Sequence, residues 1–289
     1  MSGIAQLLLK KGMTVSGSDL KESRLTSALR EAGAQVFIGH RAENIGEAQI
    51  VVYSSAVKED NPEMRQARAR GVIPLKRAQV LAELMQDKTV ITVAGSHGKT
   101  TTASLAAYLL LEAGLEPCVA VGGILKNIES NSCLGEGRFF VAEADESDGT
   151  FLCYYPHYSI ITNIDREHLD YYRDFDRELA AFQEFMNRTQ EGGCLFCCSD
   201  DVYLGRLLKG YDKKHVTFGL GKQARFYPEK IEFKGLSSTF DCFSGNESLG
   251  RFELALGGVH NISNALSIIA LAVELGIDLK FVKQALKNY

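Results

Sequence analysis

The stretch Thr89-Val-Ile-Thr-Val-Ala-Gly95-Ser-His-Gly98-Lys99-Thr-Thr-Thr102 decides the fold. Its first six residues are apolar or β-branched and predict a buried strand, while the residues from Lys99 onwards predict a helix. A glycine-rich turn between a strand and a helix is typical of a phosphate-binding loop, whose backbone N–H groups point at phosphate oxygens. Lys99 would neutralise phosphate charge there, and the Thr100 hydroxyl could ligate Mg²⁺.

This stretch departs from the strict phosphate-loop pattern at one position. The pattern Gly-x-x-x-x-Gly-Lys-Ser/Thr requires glycine where Val93 stands, whereas the shorter Gly-x-x-Gly-Lys-Thr from Gly95 to Thr100 is present. The alternative interpretation is a turn whose glycines merely cap the helix. Three threonines after the lysine, at the helix start, favour the phosphate loop.

Strands and helices alternate on both sides of this stretch, which predicts an α/β fold with parallel strands. Residues 1–12 have helical apolar spacing and end at a glycine, with no strand before them. A Rossmann-like unit without its first strand is therefore expected over 1–87, with a boundary near Asp87. Its predicted strands are Met13–Ser18, Val36–Ile38, Ile50–Ser54 and Val72–Leu75; its later helices are Arg24–Ala32, Pro62–Arg70 and Arg77–Met85.

The second predicted unit, 88–289, holds the phosphate loop and a small β-meander over Ala224–Leu256. Several short alternating runs predict that meander. The other predicted strands are Thr89–Ala94, Phe139–Glu143, Tyr158–Thr162, Leu195–Cys198 and Val216–Phe218; the helices are Thr101–Ala113, Phe175–Asn187, Asn261–Leu275 and Leu279–Lys287.

Composition excludes several classes of protein. The 289 residues include 32 Lys and Arg against 36 Asp and Glu, and this balanced charge argues against a nucleic-acid partner. No apolar run approaches the roughly 18 residues of a membrane span, so no membrane insertion is expected. Seven scattered cysteines and no signal-peptide pattern favour a reducing, cytoplasmic setting. Cys194, Cys197 and Cys198 could begin a zinc site, but the apolar run around them is better interpreted as a buried strand.

A second motif, Phe140-Val-Ala-Glu143-Ala-Asp145-Glu146-Ser-Asp148-Gly149, runs from an apolar strand into four carboxylates. Such density is electrostatically costly unless a cation is bound there, and ligands bind at the carboxyl ends of strands in open α/β sheets. Mg²⁺ is the expected partner. The alternative is a solvated acidic loop.

Two further motifs contain polar residues that are ambiguous when taken alone. His168, in Thr162-Asn-Ile-Asp-Arg-Glu-His-Leu-Asp170, could be a metal ligand, a general base or a hydrogen-bonded surface histidine. Asn261 and Asn264 lie one turn apart at the start of a predicted helix. Their amides suit the edge of an adenine base, but a helix cap is an equally simple role.

Taken together, the four motifs resemble those of the Mur ligases, the ATP-dependent amino-acid ligases of bacterial cell-wall synthesis. The resemblance covers essentially all 289 residues. The motifs begin at Gly95, Glu143, Thr162 and His260; matching N-terminal positions are Ser16–Asp19, Gly39-His40, Tyr53–Ala56, Asn61-Pro62 and Pro74–Arg77.

The resemblance implies a Mur-ligase central ATPase domain that uses ATP and Mg²⁺. Lys99 would contact the transferred phosphoryl group, Thr100 and Glu143 would hold one Mg²⁺, and His168 would ligate a second; these four are the implied catalytic residues. The implied ATP contacts are Gly95, Ser96, His97, Gly98, Lys99, Thr100, Thr101, Asn261 and Asn264. The implied contacts to the UDP-sugar are Asp19, His40 and Ser55.

The resemblance also implies the substrates. Many Mur ligases carry a carbamylated lysine after the His-x-Asp segment, and the absence of lysine between Asp170 and Arg188 matches the alanine-adding branch. UDP-N-acetylmuramate and L-alanine are then the partners. The implied reaction phosphorylates the lactyl carboxylate with ATP, and the alanine amine attacks the resulting acyl phosphate.

Three other functions stay open at this point. A ligase that adds a recycled murein tripeptide to the same nucleotide sugar typically has Glu-Tyr-Asp where this sequence has Glu146-Ser147-Asp148. A non-catalytic nucleotide-binding fragment is the second, and an unrelated phosphate-loop NTPase the third. The family's first strand would precede Met1 and its third domain would follow Tyr289, so we expect little turnover from these 289 residues alone.

Overall fold

The structure is a computed structural model that describes residues 1–54, 56–125 and 130–289. Helices and strands alternate along most of the chain, with short 3₁₀ turns at Ala42–Ile45 and Thr150–Cys153. The helices are α1 (Ser2–Lys10), α2 (Arg24–Glu31), α3 (Pro62–Ala69), α4 (Arg77–Met85), α5 (Lys99–Glu112), α6 (Leu169–Tyr172), α7 (Phe175–Asn187), α8 (Val202–Leu208), α9 (Val259–Leu275) and α10 (Leu279–Asn288). The strands are β1 (Ser16–Asp19), β2 (Gln35–Ile38), β3 (Val52–Tyr53), β4 (Leu75–Lys76), β5 (Thr89–Ala94), β6 (Cys118–Leu125), β7 (Ser130–Cys133), β8 (Phe139–Glu143), β9 (Tyr158–Ile161), β10 (Cys194–Cys198), β11 (His215–Phe218), β12 (Phe226–Lys234), β13 (Ser237–Ser244) and β14 (Glu247–Leu254).

A ten-stranded sheet organises most of the chain, in the order β14-β13-β12-β11-β10-β9-β5-β8-β6-β7. The strands from β11 to β6 pair in parallel, because the helices between them return the chain across the sheet. β12, β13 and β14 pair antiparallel and form the predicted meander. β5 lies between β8 and β9, so the phosphate-loop stretch occupies the middle of the sheet.

The N-terminal strands form parallel pairs, but not one continuous sheet. Within the described residues β1 pairs with β2 and β3 with β4, and neither pair is hydrogen-bonded to the other. The prediction of parallel strands is confirmed for both pairs. β1, β3 and β4 are shorter than predicted, because the apolar residues before them lie in irregular segments, whereas β2 is one residue longer.

One hydrophobic core extends beneath both parts of the chain. Ile4 and Leu7 of α1 and Leu81 of α4 belong to the same buried cluster as the strands of the large sheet. Gln6 of α1 also accepts a hydrogen bond from Ser132 of β7 at 2.7 Å. The predicted division near Asp87 falls in the turn between α4 and β5, within a region whose two sides share packed side chains.

The cysteine-rich run forms β10, and all five of its residues are buried. The prediction of a buried strand is therefore confirmed. Sequence patterns missed β6, β7, α6 and α8, whose apolar spacing is short or interrupted by glycine. Within the described residues no helix combines the length and the apolar content that crossing a lipid bilayer requires.

Candidate functional site

Three of the predicted motifs meet at one edge of the large sheet. The phosphate loop follows β5, the acidic motif includes the end of β8, and the histidine motif follows β9. These three strands are neighbours and parallel, so their carboxyl ends lie side by side. In open α/β sheets this edge, where the strand order reverses, is where ligands bind.

The segment after β9 braces the phosphate loop through hydrogen bonds in both directions. The Asn163 side chain accepts from the His97 backbone N–H at 2.8 Å and donates to the His97 carbonyl at 2.9 Å. The Asp165 backbone N–H donates to Ser96 Oγ at 2.7 Å. The loop is therefore held in shape before any ligand arrives.

Gly95 is required by this close approach. Its φ of +126° lies in the region that favours glycine. A Cβ there would overlap the Thr162 hydroxyl and lie 2.8 Å from the Asn163 carbonyl oxygen. The glycine thus allows the loop and the segment after β9 to pack against each other.

Lys99, at the first position of α5, points back into the site. Its Nζ donates to the Gly95 carbonyl at 2.6 Å, to the Ser96 carbonyl at 3.2 Å and to Glu146 Oε1 at 2.8 Å. The Glu146 side chain is fully buried, and the Lys99 side chain is only 18% exposed. Burial raises the pKa of Glu146, although the ammonium of Lys99 opposes that shift.

Glu146 also belongs to a cluster that could hold a cation. Ligand atoms of Glu146, Glu167 and His168 lie within 4.8 Å of one another. Nε2 of His168 is 3.5 Å from Glu146 Oε1 and 3.9 Å from Glu167 Oε2. His168 has a φ of +57°, an unusual conformation for a side-chain-bearing residue. The other carboxylate oxygen of Glu146, Oε2, is buried without a hydrogen-bond partner, so this buried carboxylate keeps one unsatisfied acceptor.

Glu143 and Thr100 face a different part of the same edge, beside β6. Glu143 Oε1 accepts from the Gly122 backbone N–H at 2.6 Å. A Cβ on Gly122 would lie 2.9 Å from Glu143 Oε2, and one on Gly123 would lie 2.7 Å from the Thr100 methyl group. The two glycines of β6 therefore let the strand approach the two predicted ligands of the first Mg²⁺.

The four carboxylates of the acidic motif have different partners. Asp145 lies 3.9 Å from Arg77 Nη2, and Asp148 lies 3.9 Å from Lys76 Nζ, both on the N-terminal part of the chain. Burial alone would raise the pKa of Asp145, but hydrogen bonds from Ser147 and the charges of Lys99 and Arg77 hold that pKa below its usual value. Glu146, by contrast, contacts Lys99 at the end of the phosphate loop, and Glu143 contacts the Gly122 backbone of β6.

A third carboxylate, Glu178 of α7, is buried behind the metal-capable cluster. Glu178 is fully buried, and neither of its carboxylate oxygens has a hydrogen-bond partner. Burial, followed by the negative charges of Glu146 and Glu167, raises the pKa of Glu178 to about 7. The cluster of Glu146, Glu167 and His168 therefore has a further buried carboxylate beside it, which the sequence motifs did not indicate.

The two asparagines of α9 have different surroundings. Asn261 donates from its side chain to the Gly257 carbonyl at 2.7 Å, so it stabilises the turn before its own helix. Asn264 is buried, and a Cβ on Gly98 would lie 3.0 Å from its Oδ1. Asn264 therefore packs against the phosphate loop, while Asn261 is bound to the turn before α9, whose N-cap position is Gly258.

The predicted UDP-sugar contacts lie at the ends of β1 and β2. His40 follows β2, and its Nδ1 lies 2.8 Å from Ser18 Oγ of β1. Asp19 is exposed at the end of β1, where its carboxylate accepts from the Lys21 backbone N–H. Ser55, the third predicted contact, lies outside the described residues. The structure thus brings Asp19 and His40 to the same end of this strand pair.

Two family models cover almost the whole chain. The model described as Mur ligase family, catalytic domain, matches residues 1–89. The model described as Mur ligase middle domain matches residues 93–272. The chain belongs to the Mur ligase family. The break between the two models falls close to the predicted boundary at Asp87.

Curated Mur ligases resemble the chain over its full length. The UDP-N-acetylmuramate–L-alanine ligase of Aquifex aeolicus is 45% identical over 289 residues, and that of Anaeromyxobacter dehalogenans is 47% identical over 289 residues. The comparison covers 100% of this chain, 64% of the Aquifex protein and 63% of the Anaeromyxobacter protein. The chain therefore spans less than two thirds of the length of these relatives.

Two crystal structures of Mur ligases have the same fold. The UDP-N-acetylmuramate–alanine ligase of Thermotoga maritima superposes with a TM-score of 0.89 at 30% identity, over 100% of this chain and 66% of that one. The UDP-N-acetylmuramate:L-alanyl-γ-D-glutamyl-meso-diaminopimelate ligase of Neisseria meningitides superposes with a TM-score of 0.91 at 28% identity, over 100% and 94% of the two chains.

Sequence reasoning missed three residues at this Mur ligase site. Glu146 was within the acidic motif, but nothing in the sequence distinguished it from its neighbours. Glu167 and Asn163 were within the histidine motif. This motif braces the phosphate loop only because β9 lies beside β5 in the sheet. The Gly122-Gly123 pair was an available signal, because glycine inside a strand indicates a close approach.

Proposed function

We propose that the protein carrying this chain uses ATP to join L-alanine to the lactyl carboxylate of UDP-N-acetylmuramate. The observation that carries the proposal is the meeting of Lys99, Glu146 and His168 at the edge where the phosphate loop ends. The identity of 45 to 47% to proteins named for this reaction supports it. We infer a UDP-sugar unit over 1–87 and an ATP unit over 88–289.

The phosphate loop and the start of α5 would bind the phosphates of ATP. The first four N–H groups of a helix have no partner within it and favour anions. Asn163 already occupies the His97 N–H, so the amides from Gly98 to Thr101 are the ones left for phosphate oxygens. The Lys99 ammonium would exchange its loop carbonyl partners for a phosphate oxygen.

The side chains beside the phosphate loop fit Mg²⁺, which prefers oxygen ligands and octahedral geometry. Thr100 and Glu143 would hold one ion beside β6, and His168 a second, with Glu146 and Glu167 as neighbouring carboxylates. The unpartnered Oε2 of Glu146 is the observation that supports this fit. Bound Mg²⁺ would supply charge neutralisation for the phosphates.

The proposed contacts to the adenine base and to the sugar nucleotide follow from where the residues lie in the structure. Asn264, beside Gly98, and Asn261, one turn earlier, would meet the adenine base. Asp19 and His40 would bind the uridine end of the sugar nucleotide, together with Ser55. Positioning the lactyl carboxylate beside the γ-phosphate makes a reaction between two anions effectively intramolecular.

Phosphorylation turns the lactyl carboxylate into an acyl donor. A carboxylate oxygen attacks the γ-phosphorus, the bond to the β-phosphate oxygen breaks, and ADP leaves. The alanine amine then attacks the acyl carbon, loses a proton, and expels inorganic phosphate as the amide forms. Lys99 contributes by holding positive charge where the transferred phosphoryl group passes.

Release of ADP by the protein that carries this chain tests the proposal. We expect release with UDP-N-acetylmuramate and L-alanine together, and little when either is omitted. Release with the murein tripeptide in place of L-alanine would support the tripeptide-adding ligase, the activity for which the Neisseria protein is named. ATP hydrolysis that is insensitive to the nucleotide sugar would contradict both.

A further inference from the structure

The carboxylate of Glu63 lies at the centre of a hydrogen-bond network around His40. Its Oε2 accepts from Ser18 Oγ at 2.7 Å, and its Oε1 accepts from Asn44 Nδ2 at 2.7 Å and from the Arg41 backbone N–H at 3.3 Å. The Glu63 side chain is only 16% exposed. One carboxylate thus joins the end of β1 to the segment that follows β2.

Glu63 is itself held in place by the start of α3. The Asn61 side chain caps this helix and accepts from the Glu63 backbone N–H at 2.9 Å. Pro62 fixes the first helical residue. A carboxylate in the first turn is also favoured by the helix dipole. The carboxylate therefore has a defined position before any ligand binds.

The network determines which ring nitrogen of His40 carries the proton. Ser18 has one hydroxyl proton, and the Glu63 carboxylate, which can only accept, takes it. The contact of 2.8 Å between Ser18 Oγ and His40 Nδ1 then requires Nδ1 to be the donor. In neutral His40 the proton lies on Nδ1, and Nε2 carries a free lone pair.

We propose that Glu63 and Ser18 are positioning residues that hold His40 in the Nδ1–H tautomer, so that Nε2 accepts a hydrogen bond from the nucleotide substrate. This inference rests on the proposed function. The recognised group must be an N–H or O–H donor, such as the imide N–H of uracil or a ribose hydroxyl. The opposite tautomer would present a donor to the same group and reject it.

Nitrogen NMR of the imidazole rings measures the tautomer directly. The 289-residue chain would be labelled with ¹⁵N-histidine, and the His40 signals assigned by their loss in His40→Gln. At a pH where the ring is neutral, we expect Nδ1–H in the unmodified chain and a mixture of tautomers in Ser18→Ala and Glu63→Gln. A dominant Nε2–H form in the unmodified chain would overturn the inference.

Calorimetric titration with UDP measures the consequence for binding. We expect Ser18→Ala and Glu63→Gln to weaken UDP binding about 10-fold and to leave ATP binding unchanged, since one oriented hydrogen bond is lost. Glu43→Gln is the matched control, because it removes an exposed carboxylate from the same segment. Thermal unfolding checks each variant, and Ser18→Ala carries the test if Glu63→Gln does not fold.

The outcomes separate this inference from the proposed function. UDP binding that is unaffected in both variants would overturn the inference and leave the ligase proposal standing. The Nδ1–H tautomer in the unmodified chain and weaker UDP binding in the two variants would support the inference. If the protein then released no ADP in the presence of L-alanine, the ligase proposal would still be contradicted. Failure of the protein that carries this chain to bind UDP would overturn both.

Discussion

Two glutamates lie at the two proposed ligand sites, and they differ in how completely they are hydrogen-bonded. Glu63, beside His40, has donors at both carboxylate oxygens. Glu146, beside His168, is fully buried, and its Oε2 has no partner. Both oxygens of the Glu63 carboxylate are hydrogen-bonded, and the resulting network orients the His40 side chain. The Glu146 carboxylate is incompletely paired, and a bound cation would complete it.

This difference indicates how each site would use its ligand. A network whose polar groups are all paired gives a rigid surface for recognition. An unsatisfied buried carboxylate destabilises the empty protein and so favours whatever neutralises it. The site at the phosphate loop should therefore respond to metal and to charge changes, whereas the network around Glu63 should not.

Removing the Lys99 charge should have the largest effect. We expect Lys99→Met to lower ADP release about 1,000-fold, because the variant loses a cation aimed at developing charge and leaves Glu146 unpaired. Steady-state ADP release by the protein that carries the chain measures it. Lys209→Met, at the end of α8, is the control for loss of a lysine, and a loss smaller than about 10-fold in Lys99→Met would contradict the assigned role.

Changing Glu146 should weaken metal binding. We expect Glu146→Gln to weaken Mn²⁺ binding by the 289-residue chain about 10- to 100-fold, because it removes one anionic ligand group. Electron paramagnetic resonance of free Mn²⁺ measures the affinity. Glu63→Gln is the matched comparison and should leave the affinity unchanged; equal losses in both variants would remove the distinction between the two sites.

Glu178 should make stability depend on pH. Its pKa is about 7 in the folded state and 4.5 in its ordinary state, so between these values the folded chain keeps a proton that the unfolded chain has lost. The free energy of unfolding therefore falls as the pH rises from about 5 to about 7 and stays low above that. Glu178→Gln should remove this fall and raise stability by about 2 kcal/mol near pH 8, with little change near pH 5.

Urea unfolding in EDTA at the two pH values checks the Glu178 prediction. Glu184→Gln, which changes an exposed glutamate on the same helix, is the control and should change stability little at either pH. A stabilisation of Glu178→Gln that is the same at both pH values would show that packing, rather than ionisation, causes it.

The smallest effect should come from Arg77 and Asp145. Their charged atoms are 3.9 Å apart, and both side chains are about two-fifths exposed, so solvent screens the pair. We expect a coupling energy below about 1 kcal/mol in a double-mutant cycle of Arg77→Gln and Asp145→Asn, measured by urea unfolding. A coupling of several kcal/mol would mean that Asp145 is as important electrostatically as Glu146.

Much of the fold could be predicted from the sequence, because its central strands have strong patterns. Thr89–Ala94 and Phe139–Glu143 are continuous apolar runs with clear ends, and both form as predicted. The N-terminal strands were predicted less well. Ser16–Asp19 is polar and mostly exposed, so hydrophobic spacing gives little information about its limits.

The candidate site was predicted in part. Lys99 and His168 lie together as the motifs suggested, while Asp145 and Asp148 turn away to Arg77 and Lys76. The roles of Glu146 and Glu63 could not be predicted, since Glu63 depends on Ser18, 45 residues away, and Glu146 on Lys99, 47 residues away.

The sequence by itself determined the strand-loop-helix of the phosphate site and the family resemblance, because both depend on residues that are close together along the chain. Only the tertiary structure decided which carboxylates remain unpaired, which ring nitrogen of His40 bears a proton, and which glycines permit close approach. These properties depend on how the strands are ordered and packed, and hence on distances that no local pattern contains.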